Sequence, residues 1–394
     1  MTRKIKILFV GELHSSHALS WIDLIGPRSS EFEVRGLHIS WAPPPAVGFP
    51  ILDASKDEIV SLRDSLHFGA KQIFPDDYIH GRGVIAGSHY ANLDKVLREF
   101  GPDIVHTLGL FPASVYYLRG KGLLPGDAHR PVWIAQVRGG PDLALNRKSD
   151  LFLPDIRSVL NQCDYFLADN AQNYSIALEL GLAPERLSPT GPVPGSGGID
   201  PGIFSGAPLP SKKERLILWP KAYNCIQSDG FVVVEALRRA LPRVGRFRLL
   251  ATAAMPDVEY WFREYLGGFG DQVSIVERMP REELLKIFGS ARVMLAPSLS
   301  EGIPNSMFEA MASNTVPILS PLDTLTPLFK DSINTIYAHN LDPDSIAEAL
   351  VKAMTDDELA DRIAVTNMAL LPSLAGRDQV RERVTGLYHQ IARL

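Results

Sequence analysis

Two rhythms of hydrophobic positions alternate along the chain. Short runs with apolar residues on both faces, IKILFVG (5–11), VRGLHIS (34–40), DIVHTL (103–108), VWIAQV (132–137) and YFLADN (165–170), recur through the first half. Between them lie stretches with helical spacing, such as HALSWIDLI (17–25), NLDKVLREFG (92–101) and IRSVLNQC (156–163). Runs of four to seven residues without alternation predict strands buried on both faces. A parallel sheet sandwiched between helices requires such strands. The pattern therefore predicts a doubly wound α/β domain.

The rhythm breaks at SPTGPVPGSGGIDPGIF (188–204), where Pro and Gly are too dense for a helix interior or a central strand. It then restarts with RLILWP (215–220), FRLLATA (247–253), VSIVE (273–277), VMLAPS (293–298), VPILS (316–320) and TIYA (335–338). The expectation is two Rossmann-like domains, 1–190 and 191–375, followed by an amphipathic helix in 376–394 that can pack back on the first. A length of 394 residues agrees with two cores rather than one.

Composition narrows the function little. Charged residues make up 22% and the formal net charge is -5, without the basic excess expected of a nucleic-acid binder. Two cysteines 62 residues apart, Cys163 and Cys225, make neither a disulfide framework nor a metal-ligand spacing and fit a reducing, cytoplasmic setting. The apolar run after the basic residues of MTRK is shorter than a signal-peptide core, and no stretch approaches the roughly 18 apolar residues that span a bilayer. Peripheral membrane contact stays open.

Candidate chemistry concentrates in SLSEGIPNSMFEAMASNTVPILS (298–320). VMLAPS is the expected strand and SLSEGIPN the loop at its carboxyl end, where open α/β sheets bind ligands. A helix starting near Ser306 would offer its backbone N–H groups and dipole to a phosphate, and Asn314 would end it in the left-handed conformation. Two roles stay open for Glu309. Ser306-Met307-Phe308-Glu309 matches a capping box, and the same carboxylate could instead meet a ligand. Glu301 is either a solvated loop charge or a second ligand contact. Asp342-Pro343-Asp344 could suggest a metal, but Pro343 at a helix start makes Asp342 an N-cap and Asp344 a first-turn acid.

The segment PSLSEGIPNSMFEAMASNTVPI (297–318) resembles the donor-site signature of family-4 retaining glycosyltransferases of the GT-B fold, the group 1 enzymes. Its elements are P-S, E-G-apolar-P, a second Glu eight after the first, A-M-A, and P-I. The upstream MPREELLKIFGSARVMLAPS (279–298) and the interdomain GSGGIDPGIF (195–204) are also similar, so the likeness covers roughly residues 185–375. It implies two Rossmann-like domains facing a central cleft. The donor, a nucleotide diphosphate-sugar, would enter as substrate, with no cofactor and no metal.

The resemblance assigns Glu301 to the donor sugar's hydroxyls and the backbone of Gly302, Ile303, Pro304, Asn305 and Ser306 to sugar and diphosphate. It assigns Glu309 to the ribose hydroxyls, since both oxygens of a carboxylate accept hydrogen bonds from a vicinal diol. Lys221 stands where the family has an arginine, and is otherwise an ordinary exposed lysine. Asp229-Gly230 occupies the place of the family's Lys-Gly, which leaves Arg278 as the candidate for a second cation. In the first domain Arg138 replaces a family histidine and Asp142 matches an acid. His14, His17 and His106 are further candidates on the acceptor side, where the alternative for His14 and His17 is one buried and one exposed ring.

The expected function is a retaining, metal-independent glycosyltransferase of the EC 2.4 class, passing a sugar to a saccharide, lipid-linked or small-molecule hydroxyl. Two alternatives accompany it: a nucleotide-sugar-binding protein or regulatory partner without turnover, and a sugar epimerase of similar fold.

Overall fold

A computed structural model describes residues 3–39, 47–53, 86–121, 130–139 and 141–393. The chain divides into two compact units, 1–197 with 380–394, and 198–379. Both boundaries fall a few residues beyond the expected 190 and 375.

Unit 1 holds a six-stranded parallel sheet of β1 (Ile5–Gly11), β2 (Phe32–His38), β3 (Ile51–Asp53), β4 (Ile104–Leu108), β5 (Val132–Gln136) and β6 (Tyr165–Leu167), in the order β3-β2-β1-β4-β5-β6. Its helices are α1 (Ser16–Ile22), α2 (Ala86–Phe100), α3 (Val115–Lys121), α4 (Leu153–Gln162) and α5 (Ala171–Glu179). Alternate residues of each strand serve opposite faces. Leu8 and Val10 join Val105, Trp133 and Phe166 in one core with α2 to α5. Ile7 and Phe9 join Ile104, Ile134 and Leu167 in another, beside Trp21 and Ile22 of α1.

Unit 2 repeats the plan. Its strands are β7 (Leu216–Trp219), β8 (Arg248–Thr252), β9 (Val273–Val276), β10 (Val293–Ala296), β11 (Val316–Leu319) and β12 (Ile336–Tyr337), all parallel, in the order β12-β11-β10-β7-β8-β9. Its helices are α6 (Gly230–Ala240), α7 (Pro256–Leu266), α8 (Arg281–Ser290), α9 (Asn305–Ala312), α10 (Pro343–Thr355) and α11 (Asp357–Ala375). One face of this sheet packs on α6, α7 and α10, the other on α8, α9 and α11.

The last helix, α12 (Arg377–Ile391), completes the second face of the unit 1 sheet. Val380, Val384, Leu387, Tyr388 and Ile391 recur at helical spacing and are buried in the core formed by Ile7, Phe9 and Trp21. Among the described residues, no helix is long and apolar enough to cross a membrane.

Candidate functional site

In an open α/β sheet the ligand crevice lies where the strand order reverses direction. In unit 2 the chain runs outward from β7 through β8 to β9, then returns to the other side of β7 as β10 and continues to β12. The reversal lies between β7 and β10. Lys221 follows β7 and Glu301 follows β10, so parallel pairing delivers both to one edge of the sheet. There Lys221 Nζ lies 3.3 Å from Glu301 Oε1.

Both loops are tied down. The Ser298 N–H donates to Ser320 Oγ at 3.0 Å, the Leu299 N–H to the Gln227 carbonyl at 2.7 Å, and Thr324 Oγ1 to the Glu301 carbonyl at 2.9 Å. The loop after β10 is thus anchored to the segments following β7 and β11. Such bracing keeps a side chain in place on a loop. Burial by itself would lower the Lys221 ammonium, but the carboxylates of Glu301 and Glu309 outweigh it and hold the ammonium above its usual range.

Helix α9 starts at Asn305, one residue earlier than expected, with Pro304 as its N-cap and no side chain capping it. Ser306 is therefore already inside the helix, and the capping box does not form. Glu309 turns instead to Arg281, whose Nε and Nη2 both donate to its Oε1, at 3.2 and 3.1 Å. Glu309 is only 7% exposed. Burial pushes its pKa up, opposed by Arg281 and more weakly by Lys221. Downstream, Asn314 takes φ 57° and ends α9 as expected.

Arg281 is the residue that the sequence reading missed. Arg278 is exposed, and among the described contacts none joins it to either carboxylate. Arg281 lies at the first position of α8 behind Pro280, followed by Glu282 and Glu283. A cation there opposes the helix dipole, so the helix itself gives no reason for it. That mismatch in PREE was the available signal.

Asp229 is also accounted for. It is the N-cap of α6, with Oδ1 accepting the Val232 N–H at 3.1 Å, so its charge complements that helix N-terminus. Gly230 is required by packing, since a Cβ there would lie 2.9 Å from the Tyr223 carbonyl oxygen and 2.5 Å from Val258 Cγ2. Asp342 caps α10 through the N–H groups of Asp344 and Ser345, and Asp344 pairs with Arg239 at 2.6 Å.

The residues expected on the acceptor side belong to unit 1, and several are occupied otherwise. His106 does not face outward from the end of β4. It pairs with Phe9 in mid-sheet and is fully buried. Its Nδ1 shares a 2.8 Å hydrogen bond with the Tyr388 hydroxyl, which also accepts from Trp21 Nε1 at 3.2 Å. Burial, aided by the Arg138 charge, lowers its pKa to about 3. Asp142 accepts the backbone N–H groups of Leu110, Phe111 and Arg138 at 2.9–3.1 Å, using both oxygens. It staples the loop after β4 to the loop after β5 and is no free sugar contact. Arg138 donates to the Gly195 carbonyl at 3.1 Å. Burial lowers its pKa to about 10, against the nearby carboxylates of Asp142 and Asp169. His14 and His17 are both exposed. The buried ring of this region is His38, stacked edge-on against His14 and accepting the Leu13 N–H through Nδ1 at 3.0 Å.

Known proteins resemble this chain in sequence over part of unit 2 and in fold over nearly its whole length. The family described as Glycosyl transferases group 1 matches residues 229–356, the stretch from the α6 cap through α10. An uncharacterized glycosyltransferase of Methanocaldococcus jannaschii is 28% identical over 127 residues, 31% of this chain and 33% of that protein. The chain therefore aligns with about a third of the length of that curated relative. Among solved structures, sucrose-phosphate synthase from Thermosynechococcus elongatus superposes with a TM-score of 0.72 at 15% identity, over 98% of this chain and 99% of that one. The Anabaena protein HepE in complex with UDP-glucose gives 0.71 at 11% identity, over 99% of this chain and 100% of the other. The chain has the two-domain α/β GT-B fold, and its second half resembles group 1 glycosyltransferases.

Proposed function

We propose that this protein is a glycosyltransferase that moves a sugar from a nucleotide diphosphate donor to an acceptor hydroxyl, with retention of configuration. The observation that carries the reading is the pairing of Lys221 with Glu301 at the switch point of the unit 2 sheet, beside the uncapped N-terminus of α9. In this reading Glu301 accepts hydrogen bonds from the donor sugar and Glu309 from the ribose. Lys221 and the first turn of α9 face the diphosphate. A cation and a helix N-terminus together stabilise the charge that develops as a diphosphate leaves.

The chemistry follows from what those groups can do. The acceptor oxygen bonds to the anomeric carbon on the face that the diphosphate vacates. The carbon–oxygen bond to the diphosphate breaks with its electron pair on that oxygen, which also takes the acceptor's proton. The configuration is retained and the nucleoside diphosphate is released. Lys221 takes the place of the family's arginine, and Arg281, paired with Glu309, adds a second cation to this edge of the sheet.

The test incubates the protein with a panel of nucleotide diphosphate-sugars and acceptors, following nucleoside diphosphate release and the product's anomeric configuration by NMR. Acceptor-dependent release, an unchanged anomeric configuration and its loss in Lys221→Met are expected. Binding without transfer or slow hydrolysis would favour the non-catalytic alternative. Conversion of the sugar without an acceptor would favour an epimerase.

A further inference from the structure

The pairing of Arg281 with Glu309 is lopsided. Nε and Nη2 both donate to Oε1, and among the described contacts none engages Oε2. Two donors of one rigid guanidinium on one oxygen fix the orientation of the carboxylate as well as its charge. Among the described residues, the charges that act on Glu309 lie at one edge of the unit 2 sheet: Arg281 at the start of α8, and Lys221 after β7, which is also bound to Glu301. Lys221 is shared with Glu301, so Arg281 is the cation committed to Glu309.

As the anion a carboxylate is acceptor-only, whereas protonation turns one of its oxygens into a donor and weakens its hold on a diol. Glu309 is nine-tenths buried, and burial favours its neutral form. Something must hold the charge on it, and the geometry offers Arg281. The position agrees, because an arginine at the first residue of α8 is disfavoured by that helix's dipole.

We infer that Arg281 is a positioning residue of the nucleotide site: it keeps Glu309 anionic, takes up Oε1 and leaves Oε2 to the ligand's vicinal diol. This rests on the nucleotide-donor reading of the site. Its consequence is a binding affinity that stays level across the neutral pH range because Arg281 is present.

The test has two arms. In the first, the side-chain carboxyl of Glu309 is titrated by carbon-13 NMR in the ligand-free protein, assigned with Glu309→Gln, for the wild type, Arg281→Lys and Arg281→Met. Arg281→Met should raise the midpoint by about one pH unit or more, equivalent to about tenfold in the ionisation constant, with Arg281→Lys in between. In the second arm, uridine and guanosine diphosphates serve as probes at pH 6 and pH 8. The affinity ratio between the two pH values should be larger in Arg281→Met than in the wild type, by several-fold once a one-unit rise brings the midpoint into this pH range, and the ligand's own titration cancels in that comparison. An unchanged Glu309 midpoint, or affinity reduced equally at both pH values, in a protein that still binds nucleotide would overturn the inference alone. Failure of the wild type to bind any nucleoside diphosphate would overturn the proposed function and the inference together.

Discussion

Lys221 Nζ lies 3.3 Å from Glu301 Oε1, across 80 residues of chain and between two strands that are neighbours only in space. The lysine side chain is 39% exposed and the glutamate 15%. A half-exposed pair of this kind contributes little to stability, about 0–1 kcal/mol. Its worth lies in placement, and that separates the effects of mutation on activity from those on folding.

Lys221→Met should therefore melt close to wild type while transfer falls about 100- to 1,000-fold, the range seen when one group that stabilises developing charge is removed. The loss should appear in kcat more than in donor affinity. Steady-state kinetics with thermal unfolding on the same preparation check this, and a matching fall in stability and activity would mean that the lysine is structural.

Glu309 allows a ligand-linked measurement. A nucleoside diphosphate at 100 times its dissociation constant should stabilise the wild type by about 2.7 kcal/mol. Glu309→Ala should lose that gain. It should also unfold more easily, because Arg281 is left without its partner, at a cost of about 3 kcal/mol or less given the guanidinium's partial exposure. A thermal-shift series with and without nucleotide separates the two effects. A variant that melts lower but still gains fully from nucleotide would remove Glu309 from the binding site.

His106 should make the protein acid-sensitive. Its pKa is lowered from 6.5 to about 3 in the folded state, chiefly by burial. Between those values the unfolded chain binds a proton that the folded one does not, so stability is full above pH 6.5 and falls as the pH drops. At about 1.4 kcal/mol per pH unit, roughly 2 kcal/mol is lost by pH 5. His106→Phe, which keeps a ring beside Phe9 and Trp21, should flatten that part of the profile. Urea unfolding at pH 7.5, 6 and 5 decides, and parallel profiles for the two proteins would count against this account.

Asp142→Ala should be strongly destabilising. It leaves the N–H groups of Leu110, Phe111 and Arg138 without their acceptor. At about 1–3 kcal/mol for a buried unsatisfied donor, a total of about 3 kcal/mol is expected after partial relaxation. Its unfolding midpoint in urea should shift accordingly, whereas a sugar-binding role would leave stability near wild type and change only acceptor kinetics.

Gly230→Ala should disturb the loop that carries Lys221. The added methyl would meet the Tyr223 carbonyl at 2.9 Å and the fully buried Val258. Overpacking of this kind costs about 1–3 kcal/mol, and the loop must shift to relieve it. A drop in both stability and transfer rate is expected, and wild-type values for both would show that the loop moves freely.

Much of the fold was legible because burial leaves a local record. The strand runs of both halves appear where periodicity predicts them, and so do α12's apolar positions. β3 was not read: Ile51–Asp53 is three residues long behind Pro50 and is recognisable only by its pairing with β2. The capping box failed for a similar reason. Ser306 and Glu309 have the right spacing, but Pro304 takes the cap position and moves Ser306 inside the helix. At His106 the DIVHTL run shows a strand and not where that strand sits in the sheet, and β4 is central.

Two α/β halves, the Pro/Gly-rich stretch between them and a strand–loop–helix segment carrying Glu301 and Glu309 are written in local runs of residues. These depend on which residues leave water within a few turns of chain, and side-chain period reports that directly. That β10 returns to lie beside β7, bringing Lys221 to Glu301, emerges only in the folded chain. So do the pairing of Arg281 with Glu309, the hold of backbone N–H groups on Asp142 and the burial of His106 in unit 1. Those pairings join residues from 28 to 80 positions apart in unit 2. They depend on the order in which parallel crossovers fill the sheet, which no local window of sequence records.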